Sequence, residues 1–297
     1  MSVITEDQQG YIWLDGSLVA WSEARLHVLS HSLHFASAVF EGIRVYGGGV
    51  FKLEAHIDRL FKSAELVGMA LPFEKQEICR ASTEVVAVQG LSEGYIRPIA
   101  WRGVGSMAPT FRSVPVHIAI AAWDWPVYYS EAAKSKGIRL TVSNWRRPPP
   151  ETAPVHAKTS GLYTVCSIAK NEAERDGFDD ALLLDTRGYI SETTSSNIFF
   201  VMDESLLTPV PDCFLNGITR LFVIELAREL GIEVKECHLS MSDIGGASEA
   251  FVTGTAAEIT PVAQIGQLNF KPGLITSKLM KSFSENVPKH LSAPADR

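Results

Sequence analysis

Cysteine is sparse in this chain. Its four residues, Cys79, Cys166, Cys213 and Cys237, stand far apart with no C-x-x-C pair, so neither a zinc ribbon nor a disulfide framework is indicated, and a reducing compartment fits best. Positive charge is also short. No run of five basic residues occurs, and 27 Lys+Arg against 34 Asp+Glu leave a net charge of −7, a balance that gives no electrostatic hold on nucleic acid or an anionic membrane. Apolar runs such as residues 118–123 fall well below the ~18–20 residues of a membrane span. The first ten residues, MSVITEDQQG, lack the basic and apolar regions of a signal peptide. The expectation is a soluble, cytoplasmic chain. There is no internal repeat, no G-x-x-x-x-G-K-[ST] phosphate loop and no H-E-x-x-H metal motif, which removes solenoids, Walker-type nucleotide binding and zincin chemistry.

What is present is ordinary globular material: 297 residues, 46% hydrophobic and 21% charged, enough for two domains or one large α/β unit. Residues 11–52 read as short strands and turns, ending in a hairpin around Gly47, Gly48 and Gly49. Leu53, Ile57, Leu60, Phe61, Ala64 and Val67 recur at helical spacing, and a second helix fits between Pro72 and Gly90. Strands are expected at 95–101, 116–123, 138–142, 181–185, 189–190 and 197–202, with helices near 161–176 and 219–230. The irregular alternation favours an α+β chain of two subdomains over a doubly wound parallel sheet. The expected boundaries are a small domain over 1–127, a linker over 128–137 and a larger domain over 138–297.

Several short motifs invite chemistry. Gly103-x-Gly105-x-x-Ala108 imitates a dinucleotide fingerprint, but Pro109 and Pro115 follow where the phosphate-binding helix would have to be. His27, His31 and His34 could share a helix face; without a nearby carboxylate they read as packing or loop histidines, and no metal is expected. Gly217-Ile218-Thr219-Arg220 immediately precedes a helical apolar run, placing backbone N–H groups and a hydroxyl at a helix start, which attracts anions. Taken alone, Thr219 is an ordinary cap. A second donor-rich cluster, Thr253-Gly254-Thr255-Ala256-Ala257, follows a strand-like run, and two such clusters together suggest a phosphate. Tyr95 and Arg97, two apart in a strand, leave the same face. Spacing gives no signal for Lys158, Glu192 or Arg59, which taken by themselves read as solvated surface residues.

Taken in order, the segments Tyr11-Ile-Trp-Leu-Asp-Gly, His31-Ser-Leu-His-Phe, Val39-Phe-Glu-Gly-Ile-Arg44, His56-Ile-Asp-Arg-Leu60, Tyr95-Ile-Arg-Pro98, Ala157-Lys-Thr-Ser-Gly-Leu-Tyr163, Gly188-Tyr-Ile-Ser-Glu192, Gly217-Ile-Thr-Arg220 and Gly254-Thr-Ala-Ala-Glu-Ile-Thr-Pro261 closely resemble the fold-type IV pyridoxal-phosphate aminotransferases, the branched-chain amino acid enzymes above all. The resemblance spans nearly the whole chain. It implies the D-amino acid aminotransferase-like fold, pyridoxal 5'-phosphate as cofactor, and amino acid and 2-oxo acid substrates. It also implies a homodimer or higher homo-oligomer. By the same resemblance Lys158 is the Schiff-base lysine and proton shuttle, Glu192 the partner of the ring nitrogen and Tyr163 that of the phenolic oxygen. The phosphate falls to Arg59, the main chain of Ile218, Thr219 and Thr255. The substrate carboxylate falls to Tyr95 and the Thr255-Ala256 backbone, with Arg97 also receiving the side-chain carboxylate of glutamate. Phe40, Trp125 and Tyr128 would line the apolar pocket, with Phe35 and Met107 arriving from the neighbouring subunit.

The chain departs from the family pattern at two places. Phe35 stands where close relatives often have Tyr, and the loop 103–110 carries Met107-Ala108-Pro109 without the common Gly-Val; both bear on the choice of amino donor. Related activities on the same fold are D-amino acid transamination, (R)-amine transamination and aminodeoxychorismate cleavage. Ile99 occupies the position of the His in the D-specific Arg-x-His pair, and the retained Tyr95 and Arg97 argue for an α-amino acid over a simple amine.

Overall fold

The computed structural model describes residues 4–125 and 128–292. The chain divides into two compact units, Met1–Pro126 with Ala157–Gly161 and Val287–Arg297, and Val127–His156 with Leu162–Asn286. The expected first boundary, residue 127, lies outside the described residues.

The first unit is built on an antiparallel sheet of β1 (Tyr11–Leu14), β2 (Ser17–Ala20), β3 (Ala38–Phe40), β4 (Ile43–Tyr46), β5 (Gly49–Val50), β6 (Gly94–Arg102) and β7 (Val116–Trp123). Their order is β2-β1-β7-β6-β4-β5, with β3 also on β6. The helices are α1 (His31–Phe35), α2 (Leu53–Leu66) and α3 (Lys75–Val88). β4 and β5 meet as expected through Gly47 and Gly48, both at positive φ, the backbone that matches a hairpin to the twist of its strands. One face of the sheet is sealed by Leu53, Ile57, Leu60 and Ala64 of α2 and Ile78, Ala81 and Val85 of α3, which share a core with Ile43, Val45, Ile96, Ile118 and Ile120. Because strand side chains alternate, the burial of Ile96 on that face puts Tyr95 and Arg97 on the other.

The second unit holds α4 (Glu131–Lys136), β8 (Ile138–Arg147), α5 (Tyr163–Arg175), β9 (Asp180–Asp185), β10 (Ile190–Thr193), β11 (Asn197–Met202), β12 (Ser205–Pro209), α6 (Ile218–Glu229), β13 (Val234–Cys237), β14 (Glu249–Gly254), β15 (Glu258–Ile265), β16 (Leu268–Asn269) and α7 (Leu274–Asn286). Its mixed sheet runs β10-β9-β8-β15-β14-β11-β12-β13, with β16 on β15. β8 is parallel to both β9 and β15. Ile138, Leu140, Leu182, Ile198, Phe200, Val252 and Val262 make the core of one face, while Cys166, Ala169 and Ala173 seat α5 on Ala181 and Leu183.

Two segments sit elsewhere than the sequence boundaries put them. Residues 128–137 contain α4, whose first turn is capped by the Ser130 hydroxyl accepting from Ala133 N–H. Residues 157–161, with Lys158, belong to the first unit although their chain neighbours belong to the second. Backbone pairing is the cause: Phe40 N–H donates to the Lys158 carbonyl at 3.0 Å, and Val39 bridges Thr159.

Candidate active site

Lys158 is held as an extra edge on β3. Its own N–H donates to the buried Ser63 hydroxyl at 2.9 Å, and the Thr159 hydroxyl donates to the Ala38 carbonyl at 2.9 Å. These contacts fix the main chain from both sides, so the side chain starts from a rigid base. Its Nζ lies 5.0 Å from the centre of the Phe40 ring. Burial pulls the Lys158 amine down to about 8, the cations Arg59 and Arg97 pull the same way, and Glu41 and Tyr95 oppose them. An amine poised there can be both nucleophile and proton carrier near neutral pH. In the cofactor-free protein its acylation by a neutral reagent is expected to rise with a midpoint near 8 and not near 10.5. Mass-spectrometric labelling across a pH series checks this; a midpoint at ordinary lysine values would refute it.

Arg59 is not the solvated helical arginine that spacing alone implied. Its side chain is 15% exposed and forks onto Glu41, Nε to Oε1 at 2.6 Å and NH2 to Oε2 at 2.9 Å. Glu41 is fully buried and also accepts from His56 Nδ1 at 2.8 Å. Burial pushes His56 below its ordinary value despite the carboxylate, so its ring is neutral near pH 7.

Tyr95 and Arg97 do share a face, together with Phe40 and Trp125. The Arg97 guanidinium lies 4.9 Å from the Phe40 ring and 5.6 Å from the Tyr95 ring, and Tyr95 is 5.1 Å from Trp125. A Cβ on Gly42 would fall 1.8 Å from the Tyr95 hydroxyl, so only glycine allows that hydroxyl its place. Arg97 Nε is buried with no hydrogen-bond acceptor among the described residues, an orphan donor that an incoming carboxylate would satisfy.

In the second unit Glu192, on β10, is 3.2 Å from Arg147 Nε, with side chains 13% and 4% exposed. Arg147 NH1 donates to the Leu162 carbonyl at 3.3 Å and to Cys166 Sγ at 3.6 Å. One guanidinium thus ties Glu192 to the start of α5, where Tyr163 stands. Burial works against the Arg147 charge, but Glu192 and its other neighbours raise its pKa overall. Nothing in the local sequence marked Arg147; its role comes from β8 running parallel to β9, which brings it opposite Asp185.

The two donor clusters meet at one corner. Gly217, not Thr219, is the N-cap of α6, and no side chain caps that end. The N–H groups of Ile218, Thr219 and Arg220 therefore have no intrahelical acceptor, and Thr219 is buried. Gly217 is obligatory, since a Cβ there would lie 2.2 Å from Asn197 Oδ1. Asn197 donates to the Leu215 carbonyl at 3.1 Å and pairs across the ladder with Thr253, next to the turn carrying Thr255 and Ala256. Arg220 points inward: fully buried, it bonds Thr208, Asn216, Pro209 and Glu236, so it anchors the helix and is not an anion ligand.

Phe35 and Met107 are exposed, at 40% and 50%, and Phe35 leans on His31 with ring centres 4.5 Å apart. Of the three histidines, His31 is buried with Nδ1 2.9 Å from the Ser37 hydroxyl, and His34 contacts the Val28 carbonyl. Tyr128 rests on Tyr129, ring centres 4.7 Å apart. Asp185, Asp212 and Cys213 are close enough to hold a metal, but Arg187 bonds both carboxylates at 2.7 Å and occupies the cation's place.

The two units thus offer, each by itself, a half-buried amine lowered toward neutrality, a carboxylate backed by an arginine, and an uncapped helix start beside a second donor turn. The chain belongs to the class IV aminotransferase family, whose pattern matches residues 38–265. It is 41% identical over 281 residues to a probable branched-chain-amino-acid aminotransferase of Rickettsia felis, covering 93% of this chain and 96% of that one. The branched-chain aminotransferase of the archaeon Thermoproteus uzoniensis, solved with norvaline, superposes with a TM-score of 0.91 at 36% identity, over 96% of this chain and 99% of that one. The branched-chain amino acid aminotransferase of Thermobaculum terrenum, solved in its PLP-form, gives 0.88 at 32%, over the same shares. The fold is that of the fold-type IV enzymes, as the motifs implied, and the protein is an aminotransferase.

Proposed function

We propose that this protein is a branched-chain amino acid aminotransferase that moves the amino group of L-leucine, L-isoleucine or L-valine to 2-oxoglutarate in a ping-pong cycle with pyridoxal 5'-phosphate. The observation that carries the reading is Lys158, an amine pulled down to about 8 on a rigid backbone beside Arg59, Tyr95 and Arg97. The donor set suits a phosphorylated aromatic aldehyde: an amine for the carbonyl, a carboxylate for a ring nitrogen, and N–H groups with hydroxyls for a phosphate. Bound there, the cofactor supplies an electron-accepting ring that stabilises negative charge at the substrate Cα.

The chain's own residues do the rest. Lys158 Nζ holds the carbonyl end and, once displaced by substrate, carries the Cα proton. Glu192 keeps a proton on the ring nitrogen, with Arg147 holding the carboxylate in place, and Tyr163 donates to the phenolic oxygen. Arg59, the Ile218 N–H, Thr219 and Thr255 hold the phosphate. Tyr95 and the Thr255-Ala256 backbone take the α-carboxylate, while Arg97 Nε is the donor for the second carboxylate of glutamate. Phe40, Trp125 and Tyr128 give an apolar wall that a branched side chain fills and a polar one does not.

Excess L-leucine without keto acid should bleach the cofactor's long-wavelength band, and 2-oxoglutarate should restore it. A faster response to D-alanine or an (R)-arylamine would place the protein with the other activities of its fold. The working unit in this reading is a homodimer in the cytoplasm, with Phe35 and Met107 completing the partner's pocket. Support comes from the apolar surface they stand on: Val28, Leu33 and Phe111 are more than half exposed, and the segments carrying them are joined by the Ser30–Val104 bridge. Sedimentation should give twice the chain mass, and a monomer with full activity would remove this part.

A further inference from the structure

The Glu41, His56 and Arg59 cluster contains a carboxylate that the reaction as described does not use. Glu41 follows β3 directly, its N–H donating to the Pro98 carbonyl at 2.8 Å, and its side chain is fully buried. Both oxygens are committed. Oε1 accepts from Arg59 Nε at 2.6 Å; Oε2 accepts from Arg59 NH2 at 2.9 Å, His56 Nδ1 at 2.8 Å and Gly42 N–H at 3.3 Å. His56 and Arg59 are three apart on α2, so one helix face delivers both partners. Burial alone would raise the Glu41 carboxyl, yet Arg59 and His56 hold it well below the ordinary carboxylate range.

Burying a carboxylate this completely is a poor route to stability, because apolar residues of the same volume do as well or better. What the pairing supplies is orientation. A guanidinium gripped along its Nε and NH2 edge by two oxygens has its plane fixed. Its opposite edge then has one direction, where an unpaired arginine samples many rotamers at an entropic cost to whatever it binds.

We infer that Glu41 is a positioning residue, which aims the Arg59 guanidinium at the cofactor phosphate while His56 closes the carboxylate's remaining position; this rests on the reading of Arg59 as a phosphate anchor. The consequence is selective. Losing Glu41 weakens recognition of the phosphate and leaves the rest of the cofactor's contacts alone.

The test compares binding of pyridoxal 5'-phosphate with that of pyridoxal, which lacks the phosphate, to cofactor-depleted full-length protein, for the wild type, Glu41→Gln, Arg59→Gln and the double variant. Glu41→Gln should lower the affinity ratio of the phosphorylated over the plain compound by about tenfold, the scale of one misaligned charge-assisted contact. In the Arg59→Gln background the same change should have no further effect, because the residue acts through Arg59. An unchanged ratio in Glu41→Gln, or additive losses in the double variant, would overturn the inference; a general disruption would weaken both compounds alike and leave the ratio where it was. Should Glu41→Gln fail to fold with an unpaired Arg59, the charge-neutral double variant against Arg59→Gln decides: equal ratios support the inference and a further fall overturns it. A wild type that binds both compounds equally removes Arg59 as a phosphate anchor, a failure of the underlying reading that is plainly distinct.

Discussion

Lys158→Ala should leave a folded protein with no measurable transamination. In the proposed reading the substitution removes both the group that would hold the cofactor's carbonyl end and the base that would move the Cα proton. Positioned proton transfer alone is worth ~10²–10⁴ in rate, and loss of the covalent anchor adds to it, so kcat with leucine and 2-oxoglutarate should fall by about 10⁴ or more. Stability should move the other way or not at all. With its pKa pulled down to about 8 by burial, the Lys158 amine is protonated at pH 7 in surroundings that disfavour the charge. The unfolded chain binds the proton more readily, so this group's contribution to stability improves as pH rises from about 8 toward 10.5. Melting at pH 7 should therefore be no lower in the variant. Added methylamine, which supplies a diffusible base, should restore a trace of turnover in Lys158→Ala. Borohydride reduction of the loaded wild type should leave its label on the peptide containing Lys158, and a label on any other lysine would end the assignment.

The second large effect is at Glu192. Changing it to Gln removes one negative charge at nearly constant shape, so a ring nitrogen meeting it loses the partner that keeps its proton. Losing one preorganised charge of this kind typically costs ~10²–10³ in kcat. The KM for leucine should change little, because the proposed reading gives the substrate carboxylate to other residues. A separate cost follows from Arg147. Its guanidinium, 3.2 Å from Glu192 and almost fully buried, would lose its counter-charge, and uncompensated buried ions cost ~3–5 kcal/mol. Glu192→Gln should melt earlier than wild type, and a companion Arg147→Met should recover much of the stability without recovering the rate. If kcat recovers as well, Glu192 acts only through the fold.

The sequence was most informative where periodicity and glycine acted locally. The hairpin at Gly47 and Gly48, α2, α3, β7 and β11 lie where the alternation and helical spacing put them, because each is specified by its own apolar face. Less regular elements escaped: β12 pairs in parallel with β13 after an intervening helix, and α7 is amphipathic without a sharp start. The donor clusters at Gly217 and Thr253 could be read from helix-terminus and turn chemistry. The charged groups could not. Lys158, Glu192 and Arg59 look like surface residues in one dimension, and only the ordered set of motifs singled them out. Glu41 and His56 lay inside those motifs without a role, and Arg147 lay outside them, since their partners come from other elements and no spacing rule connects them. The placement of Lys158 in the first unit has the same origin: its backbone partners, Phe40 and Ser63, are roughly a hundred residues back in the chain.

That placement also sets an order of assembly. The first unit takes in residues 157–161 and is finished by residues 290–292, where Lys52 N–H bonds the His290 carbonyl, Phe51 bridges Leu291 and Ser292 N–H bonds the Val50 carbonyl. A ribosome releases the chain from its amino end at ~5–20 residues per second. The first unit to emerge is therefore the last to be completed, and its β5 edge waits tens of seconds for its cover. The second unit, contained between residues 127 and 286, has every one of its strands before then. An unfinished nascent chain thus carries an open edge for much of its synthesis, and a stop codon near residue 287 would damage the opposite end of the sequence from the one it shortens.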